Sequence, residues 1–257
     1  MPFQKIPYDD PRFSYPQFWS ERKYENISEQ IALSHFFKKI YKKNLLVDIG
    51  GGYGRNTKFF SKFFKKCILV DPSDKQLQMA LKKVSDKNVD IIKSSSQNLP
   101  FPNNTFDVAV LIRVIHHLEH PEEILKEISR VLRKNGFLIL EFANKTHFRA
   151  IIKNFLTLNF SYLKNIKPIK ISQTIPISEE TVIYLNFHPK YIEKILKNSG
   201  FKIIMCLSVS NLRSHALKKI FPINLLLWIE TFLQKSLAKY YFGPSIFVLA
   251  QKREALS

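Results

Sequence analysis

The sequence predicts an α/β fold in which a largely parallel sheet is covered by helices on both faces. Two observations carry that reading. Short apolar runs rich in Val, Ile and Phe recur along the chain, and segments with helical spacing separate them. The runs fall at 45–49 (LLVDI), 67–71 (CILVD), 90–93 (DIIK), 106–112 (FDVAVLI) and 137–142 (FLILEF). They are continuous rather than alternating, as expected of strands buried on both faces. The clearest helix is predicted over 121–134, where Ile124, Leu125, Ile128, Val131 and Leu132 form one stripe. Pro121 suits its first turn, Glu122 and Glu123 complement the dipole there, and Asn135-Gly136 is expected to stop it.

Beyond residue 142 the rhythm changes. Residues 144–188 show no clear strand and read as an insertion packed over the core. A helix begins after His188, which is expected to cap it, and closes at Gly200. A strand follows at 201–209. Residues 214–241 form a second apolar helical stretch, interrupted at Pro222, and the last strand lies at 245–251. No internal repeat or low-complexity linker divides the chain. The expectation is therefore a single domain over 1–257. Its core comprises 44–142 and 190–252, preceded by a helical segment at 1–43. A lid-like insertion at 144–188 and a helical insertion at 214–241 elaborate it.

Composition limits the function classes. With 45% apolar residues and 13% aromatics, the 257-residue chain has too much hydrophobic content for disorder. Its net charge of +19 raises nucleic acid or an anionic membrane as partner. The cations, however, are 31 Lys and only 9 Arg, whereas phosphate and base recognition favour the guanidinium. Isoleucine (29) and asparagine (16) are also abundant, while alanine (9) is scarce, so the lysine excess belongs to a compositional background that reaches uncharged residues. Nucleic acid is accordingly not the expected partner. Cys67 and Cys206 lie in apolar runs and read as buried free thiols of a cytoplasmic protein. No stretch reaches the ~18 apolar residues of a membrane span, and no secretory signal is visible.

Four of the seven glycines fall in one turn, Asp48-Ile49-Gly50-Gly51-Gly52-Tyr53-Gly54, directly after the first predicted strand. Such a turn brings backbone N–H groups close to a ligand. A P-loop is excluded because Gly-Lys-Ser/Thr is absent. The dinucleotide pattern G-x-G-x-x-G/A fails because its last small residue would be Arg55. What remains is D-x-G-x-G-x-G, whose acid repels phosphate and suits a cationic ligand.

These motifs, in this order, resemble the class I S-adenosylmethionine (SAM)-dependent methyltransferases, in particular the branch containing the ubiquinone and menaquinone biosynthesis enzymes. VDIGGGYGR, ILVDPS, NLPFPNNTFDVAV and IRVIHHLEHPEEILKEISRVLRKNGFLILEF carry the resemblance, which is strong over 44–142. It implies a doubly wound, Rossmann-like sheet of seven strands, mostly parallel with an antiparallel last strand, and SAM as cofactor. Gly50, Gly51, Gly52 and Gly54 would then pass beside the methionine moiety, with Asp48 near its ammonium or anchoring the loop. Asp71 would accept the ribose hydroxyls, and Pro72 would press on the adenine. Where the family usually has an aspartate near the adenine amino group, this chain has Ser95, with Ser96 and Gln97 beside it; a hydroxyl gives a weaker hydrogen bond there. Arg113 would lie where the chain passes SAM and needs an anionic partner, either the SAM carboxylate or a substrate. His116 and His117 follow at the pocket floor, with His116 favoured as general base.

The chemistry implied is direct displacement of the methyl group by a nucleophile, with no metal cluster needed. Trp19 and Tyr24, on a predicted N-terminal helix, are candidates to close over SAM and line the acceptor pocket. His147, at the carboxyl edge of the fifth strand, is a weaker candidate base. The acceptor expected is a small or lipid-like molecule. RNA methylation, suggested by the charge, and SAM binding without turnover, suggested by Ser95, are the alternatives. In 214–241, Lys218, Lys219, Lys235 and Lys239 flank an apolar centre with Trp228. That pattern suits peripheral membrane contact, a lid or a homodimer contact.

Overall fold

The computed structural model describes residues 14–174 and 181–253. The first part of the N-terminal segment and 175–180 of the first insertion lie outside the described residues. The chain opens with α1 (Tyr15–Ser20), capped by the Ser14 hydroxyl, and α2 (Lys23–Phe37). Then follow β1 (Leu45–Ile49), α3 (Thr57–Phe60), β2 (Lys66–Asp71), α4 (Asp74–Lys83), β3 (Val89–Lys93) and β4 (Phe106–Leu111). The second half holds α5 (Pro121–Val131), β5 (Leu132–Ala143), α6 (Phe148–Leu156), α7 (Phe160–Lys164), β6 (Ile169–Thr174) and β7 (Thr181–Asn186). It ends with α8 (Pro189–Asn198), β8 (Phe201–Val209), α9 (His215–Ile220), α10 (Ile223–Ser236) and β9 (Ser245–Lys252).

Seven strands form one sheet in the order β3-β2-β1-β4-β5-β9-β8. The first five in that order pair in parallel, and β9 runs antiparallel to both β5 and β8. The reversal of order at β1 and β4 makes the carboxyl edge of these two strands the switch point at which open α/β sheets bind ligands.

Side chains alternate between the two faces, and the core divides accordingly. Val47, Ile49, Ala109, Leu111, Leu138, Leu140, Ile246 and Val248 meet the apolar stripes of α5 and α8, with Ile124, Ile128, Ile192 and Leu196. Leu46, Val108, Val110, Ile139, Phe247 and Leu249 meet Leu33, Phe36 and Phe37 of α2 and Phe60 of α3. Two covered faces explain why every residue of β4 is buried and why the strands read as continuous apolar runs.

The structure corrects three local expectations. α5 ends at Val131, because Leu132 is already extended and begins β5; Asn135, at φ 59°, makes a bulged turn inside that strand instead of ending the helix. The insertion 144–188 contains strands after all: β6 and β7 pair antiparallel as a hairpin apart from the main sheet. The Lys-Pro and Ile-Pro punctuation masked its apolar positions. Cys67 is buried but Cys206 is only partly so, and both are free thiols whose pKa values burial pushes up, to about 12 and about 11.

Phe36 is fully buried against the sheet. Phe36→Ala is expected to lower unfolding stability by about 3–5 kcal/mol in a urea titration, through lost burial and the cavity left behind.

Candidate functional site

The site begins where β1 runs into the glycine turn. Gly50 and Gly51 donate their N–H groups to the Val70 carbonyl at 2.7 and 3.2 Å, which carries the β1–β2 ladder into the turn. Gly50 needs to be glycine twice over: its φ is +70°, and a Cβ would lie 2.4 Å from Val114 Cγ2. Gly52 is different. A Cβ there would find its nearest contacts at 3.7 Å (Gln76 Oε1) and 4.0 Å (Tyr15 Cε1), so this glycine opens a cradle instead of relieving a clash.

Asp71, at the end of β2, accepts from Gly52 N–H at 2.9 Å and Ser73 N–H at 2.9 Å, which fixes its buried carboxylate beside that cradle. Pro72 follows, exposed at the strand end. Asp48 accepts the Thr57 hydroxyl proton at 2.6 Å and so ties the turn to α3. Burial pushes its pKa up to about 6, against the Thr57 hydrogen bond and the Arg55 charge, which lower it. Of the two roles open to Asp48, the geometry displays the anchoring one. Ser95 accepts from Gln97 N–H at 3.2 Å and spends its hydroxyl on its own loop; Ser96 is half-buried and Gln97 exposed.

Arg113 finds anionic partners within the protein. Its guanidinium donates to Glu29 Oε1 at 2.6 and 3.1 Å and lies 3.7 Å from Glu141, while its N–H donates to Glu141 at 3.0 Å. Glu29 also accepts from Arg55 at 2.6 Å, and the Arg55 guanidinium lies 3.6 Å over the Trp19 ring. Burial would raise the Glu29 pKa, but Arg55 and Arg113 outweigh it and hold the carboxyl below its ordinary value. Trp19 thus sits under the turn's arginine, and Tyr15, one helical turn earlier, meets Tyr53 edge-on at 5.5 Å. Tyr24 does not join them. Its hydroxyl donates to Glu230 of α10 at 2.8 Å and accepts from Leu212 N–H, so it is a buried lock between α2 and α10 and not a lining group of the acceptor pocket.

After Arg113, itself at φ +61°, a short 3-10 turn (Ile115–His117) carries the histidine pair. His116 is buried and its Nδ1 has no hydrogen-bond partner among the described residues; His117 is half-buried. Tyr184 of β7 packs against both, at 5.5 and 5.2 Å between ring centroids. Burial pushes the His117 pKa down to about 4 and that of His116 well below its usual value, helped there by His117 and Arg113. Burial thereby favours the neutral form of both imidazoles. His147 accepts from Ala150 N–H as the cap of α6, and His188 caps α8.

Glu29, Glu141, Tyr15 and Tyr184 are site residues that sequence reasoning missed. Glu141 had a signal, a lone charge in the buried run FLILEF. The others are recognisable only once the fold brings α1, α2 and β7 to the edge of the sheet. Among the described residues no group of three or more His, Cys, Asp or Glu side chains is placed to hold a metal ion.

Comparison with known proteins decides the family. Residues 47–140 match the methyltransferase domain family. Over that segment the chain is similar to SAM-dependent methyltransferase domains. An uncharacterized protein of Methanocaldococcus jannaschii is 29% identical over 201 residues, 77% of this chain and 75% of the relative. A ubiquinone/menaquinone biosynthesis C-methyltransferase of Campylobacter jejuni is 33% identical over 147 residues, 52% of this chain. The match covers 57% of that enzyme, so the chain spans little more than half the length of this named relative. A SAM-dependent methyltransferase of Thermotoga maritima shares the fold with a TM-score of 0.59 at 20% identity, covering 93% of this chain and 94% of that one. The match to the methyltransferase domain implies SAM as the cofactor. The donor set suits it: a buried carboxylate at the β2 end, and an uncrowded glycine cradle with no phosphate-binding lysine.

Two outcomes follow from the electrostatics. Glu29→Gln removes the anion between two guanidiniums and is expected to cost about 3–5 kcal/mol in a denaturant titration. The histidine pair also links stability to pH. Its folded pKa values lie below the unfolded ~6.5, so its contribution is complete above that value and lost as pH falls toward 4. His117→Gln should flatten this part of the stability profile between about pH 6.5 and 4, read by thermal unfolding across buffers.

Proposed function

We propose that this protein transfers the methyl group of SAM to a nucleophilic atom of a small molecule with an apolar body, with the histidine pair receiving the acceptor's proton. One observation carries the reading: the glycine cradle with Asp71 opens at the same sheet edge as a pair of neutral imidazoles walled by Tyr184. The Campylobacter jejuni relative is named for ubiquinone and menaquinone biosynthesis, which supports a small-molecule acceptor.

In this reading Asp71 holds the ribose hydroxyls, a bidentate task that a carboxylate performs well. The turn from Gly50 to Gly54 lets the backbone run beside the methionine end, while Tyr15 and Tyr53 wall it. Pro72 faces the adenine. The loop at Ser95–Gln97 binds the adenine edge through neutral groups, weaker than the family's carboxylate. SAM supplies an activated methyl on a sulfonium, whose bond to sulfur breaks as the acceptor's lone pair forms the new bond. The chain's task is then orientation and exclusion of water. His116 and His117, kept neutral by burial, accept the proton that the acceptor loses. Arg113 holds α2 to the end of β4, a positioning role.

Asp71→Ala is expected to abolish SAM binding in a calorimetric titration, whereas unchanged affinity would refute this placement of the cofactor. His116→Gln should leave SAM affinity unchanged and lower kcat with an ionisable acceptor by about 10²–10⁴-fold. Labelled methyl-SAM incubated with metabolite and lipid extracts identifies the product.

A further inference from the structure

Helix α10 is built inside out. Its inward face carries two polar side chains with no solvent exposure, Glu230 and Gln234. Glu230 is held by Tyr24 and the Asn211 amide, and Gln234 donates to the Ser28 carbonyl at 2.8 Å. Its outward face carries Trp228, 62% exposed, and Phe232, 59% exposed, which pack edge to face and leave the rest of their surface uncovered. Beside the buried Leu226 and Leu227 the inward face thus takes two polar side chains, while two aromatics stay outside, against the usual placement of these residue types on a surface helix.

Helix α6 goes further, because none of its residues is buried, although Phe148, Ile151, Ile152, Phe155 and Leu156 make up most of it. Leu156 is 75% exposed. The segments that carry the two helices meet in one rim at Phe148. The Phe148 ring stacks on Phe242 at 4.6 Å, just beyond the end of the α10 segment, and the Phe148 N–H donates to the Phe242 carbonyl. Both segments leave the sheet at the carboxyl ends of β5 and β8, which run in the same direction, so the rim borders the edge that carries the glycine turn. Scattered exposed apolar residues mean little, whereas a contiguous patch at a site edge needs a partner.

Charge decides which partner. Residues 144–174 contain six lysines and arginines, of which Lys145 is buried, and no acid. Residues 211–241 contain five, of which Lys218 is paired with Glu25 of α2, and a single acid, Glu230, which is buried. The rim's own surface is therefore apolar and cationic. A second copy docked through the same rim would set cations against cations, with no exposed carboxylate from either segment to pair with them. Nucleic acid would satisfy the cations but leave the aliphatic side chains of α6 against a charged backbone. An anionic bilayer matches both: headgroups for the cations and acyl chains for the aromatics. Among the described residues no helix is long and apolar enough to cross a membrane, so these helices would lie in the interface plane.

We propose that the rim formed by α6 and α10 is a docking surface for an anionic lipid bilayer and holds the protein with its ligand-binding edge against the membrane. This goes beyond the methyl-transfer reading and stands whichever acceptor is used. The test is flotation of the full-length chain with vesicles of phosphatidylcholine alone or with about 30% phosphatidylserine, at low salt and at about 0.5 M salt. The expected result is recovery with the anionic vesicles, reduced at high salt, with a blue shift of Trp228 emission. The double variant Trp228→Ser, Phe232→Ser should bind at least about tenfold more weakly, a loss read as a shift in midpoint lipid concentration, with an unchanged circular dichroism spectrum and melting temperature. No flotation at low salt, equal flotation with neutral vesicles, or undiminished binding by the folded variant would each overturn the proposal. So would a lipid-free dimer that the same double variant dissociates, since the rim would then be occupied by a second copy.

Discussion

The carboxylate of Glu29 has no solvent exposure and lies between two guanidiniums, Arg55 from the glycine turn and Arg113 from the end of β4. That one anion joins three parts of the chain that sequence separates by more than eighty residues. α2 could pack on the sheet through Phe36 and Leu33 alone, but apolar contacts do not set where along the strands it stops. The paired guanidiniums do, because a buried carboxylate left with one partner is costly and directional hydrogen bonds allow little sliding. Arg55 is also the residue that breaks the dinucleotide fingerprint. The substitution that excludes one cofactor class thus provides the clamp that seats the N-terminal helices over the turn.

Around this clamp the ionisable groups divide into two sets. Glu29 and Arg113, each facing a buried counter-charge, are held in their charged forms, and Glu141 lies 3.7 Å from the Arg113 guanidinium. Those without one are pushed toward neutrality, as the pKa values of Asp48 and the histidine pair record. In the proposed reaction the mouth would be walled by imidazole and phenol, with the paired charges of Glu29 and Arg113 behind it. Such walls favour an apolar acceptor body and leave the strongest local field to the cofactor's own cation.

Much of this was legible in the sequence, for identifiable reasons. The strands announced themselves because burial on both faces leaves continuous apolar runs, and β1 and β8 begin and end where those runs do. The glycine turn was legible because three positive-φ positions beside a strand end leave little alternative to glycine. Asp71 and His116 were singled out by the motifs that carry the family resemblance. What stayed hidden depended on distance along the chain. Tyr24 reads as an aromatic near a site until Glu230, 206 residues away, claims its hydroxyl. Tyr184 carries no local mark at all; only the hairpin's return to the sheet edge brings it to the histidines. β6 and β7 were missed because a hairpin outside the main sheet lacks the doubly buried signature used to find the others.

The cations of this molecule fall into two environments. Among the described residues, Arg55 and Arg113 are paired with the buried Glu29 carboxylate, whereas the lysine pairs Lys66–Asp90 and Lys93–Asp74 lie on the surface. The lysines, mostly on the surface, carry the excess charge. Ionic strength therefore acts on the two populations unequally: buried guanidinium pairs are screened little, whereas exposed ammonium groups lose their reach beyond about 10 Å at 0.1 M salt. The surface potential can be tuned by salt, or erased lysine by lysine through acetylation, while the internal frame of α2, the glycine turn and β4 stays as it is. A protein built this way separates the charges that hold its shape from the charges through which its surroundings address it.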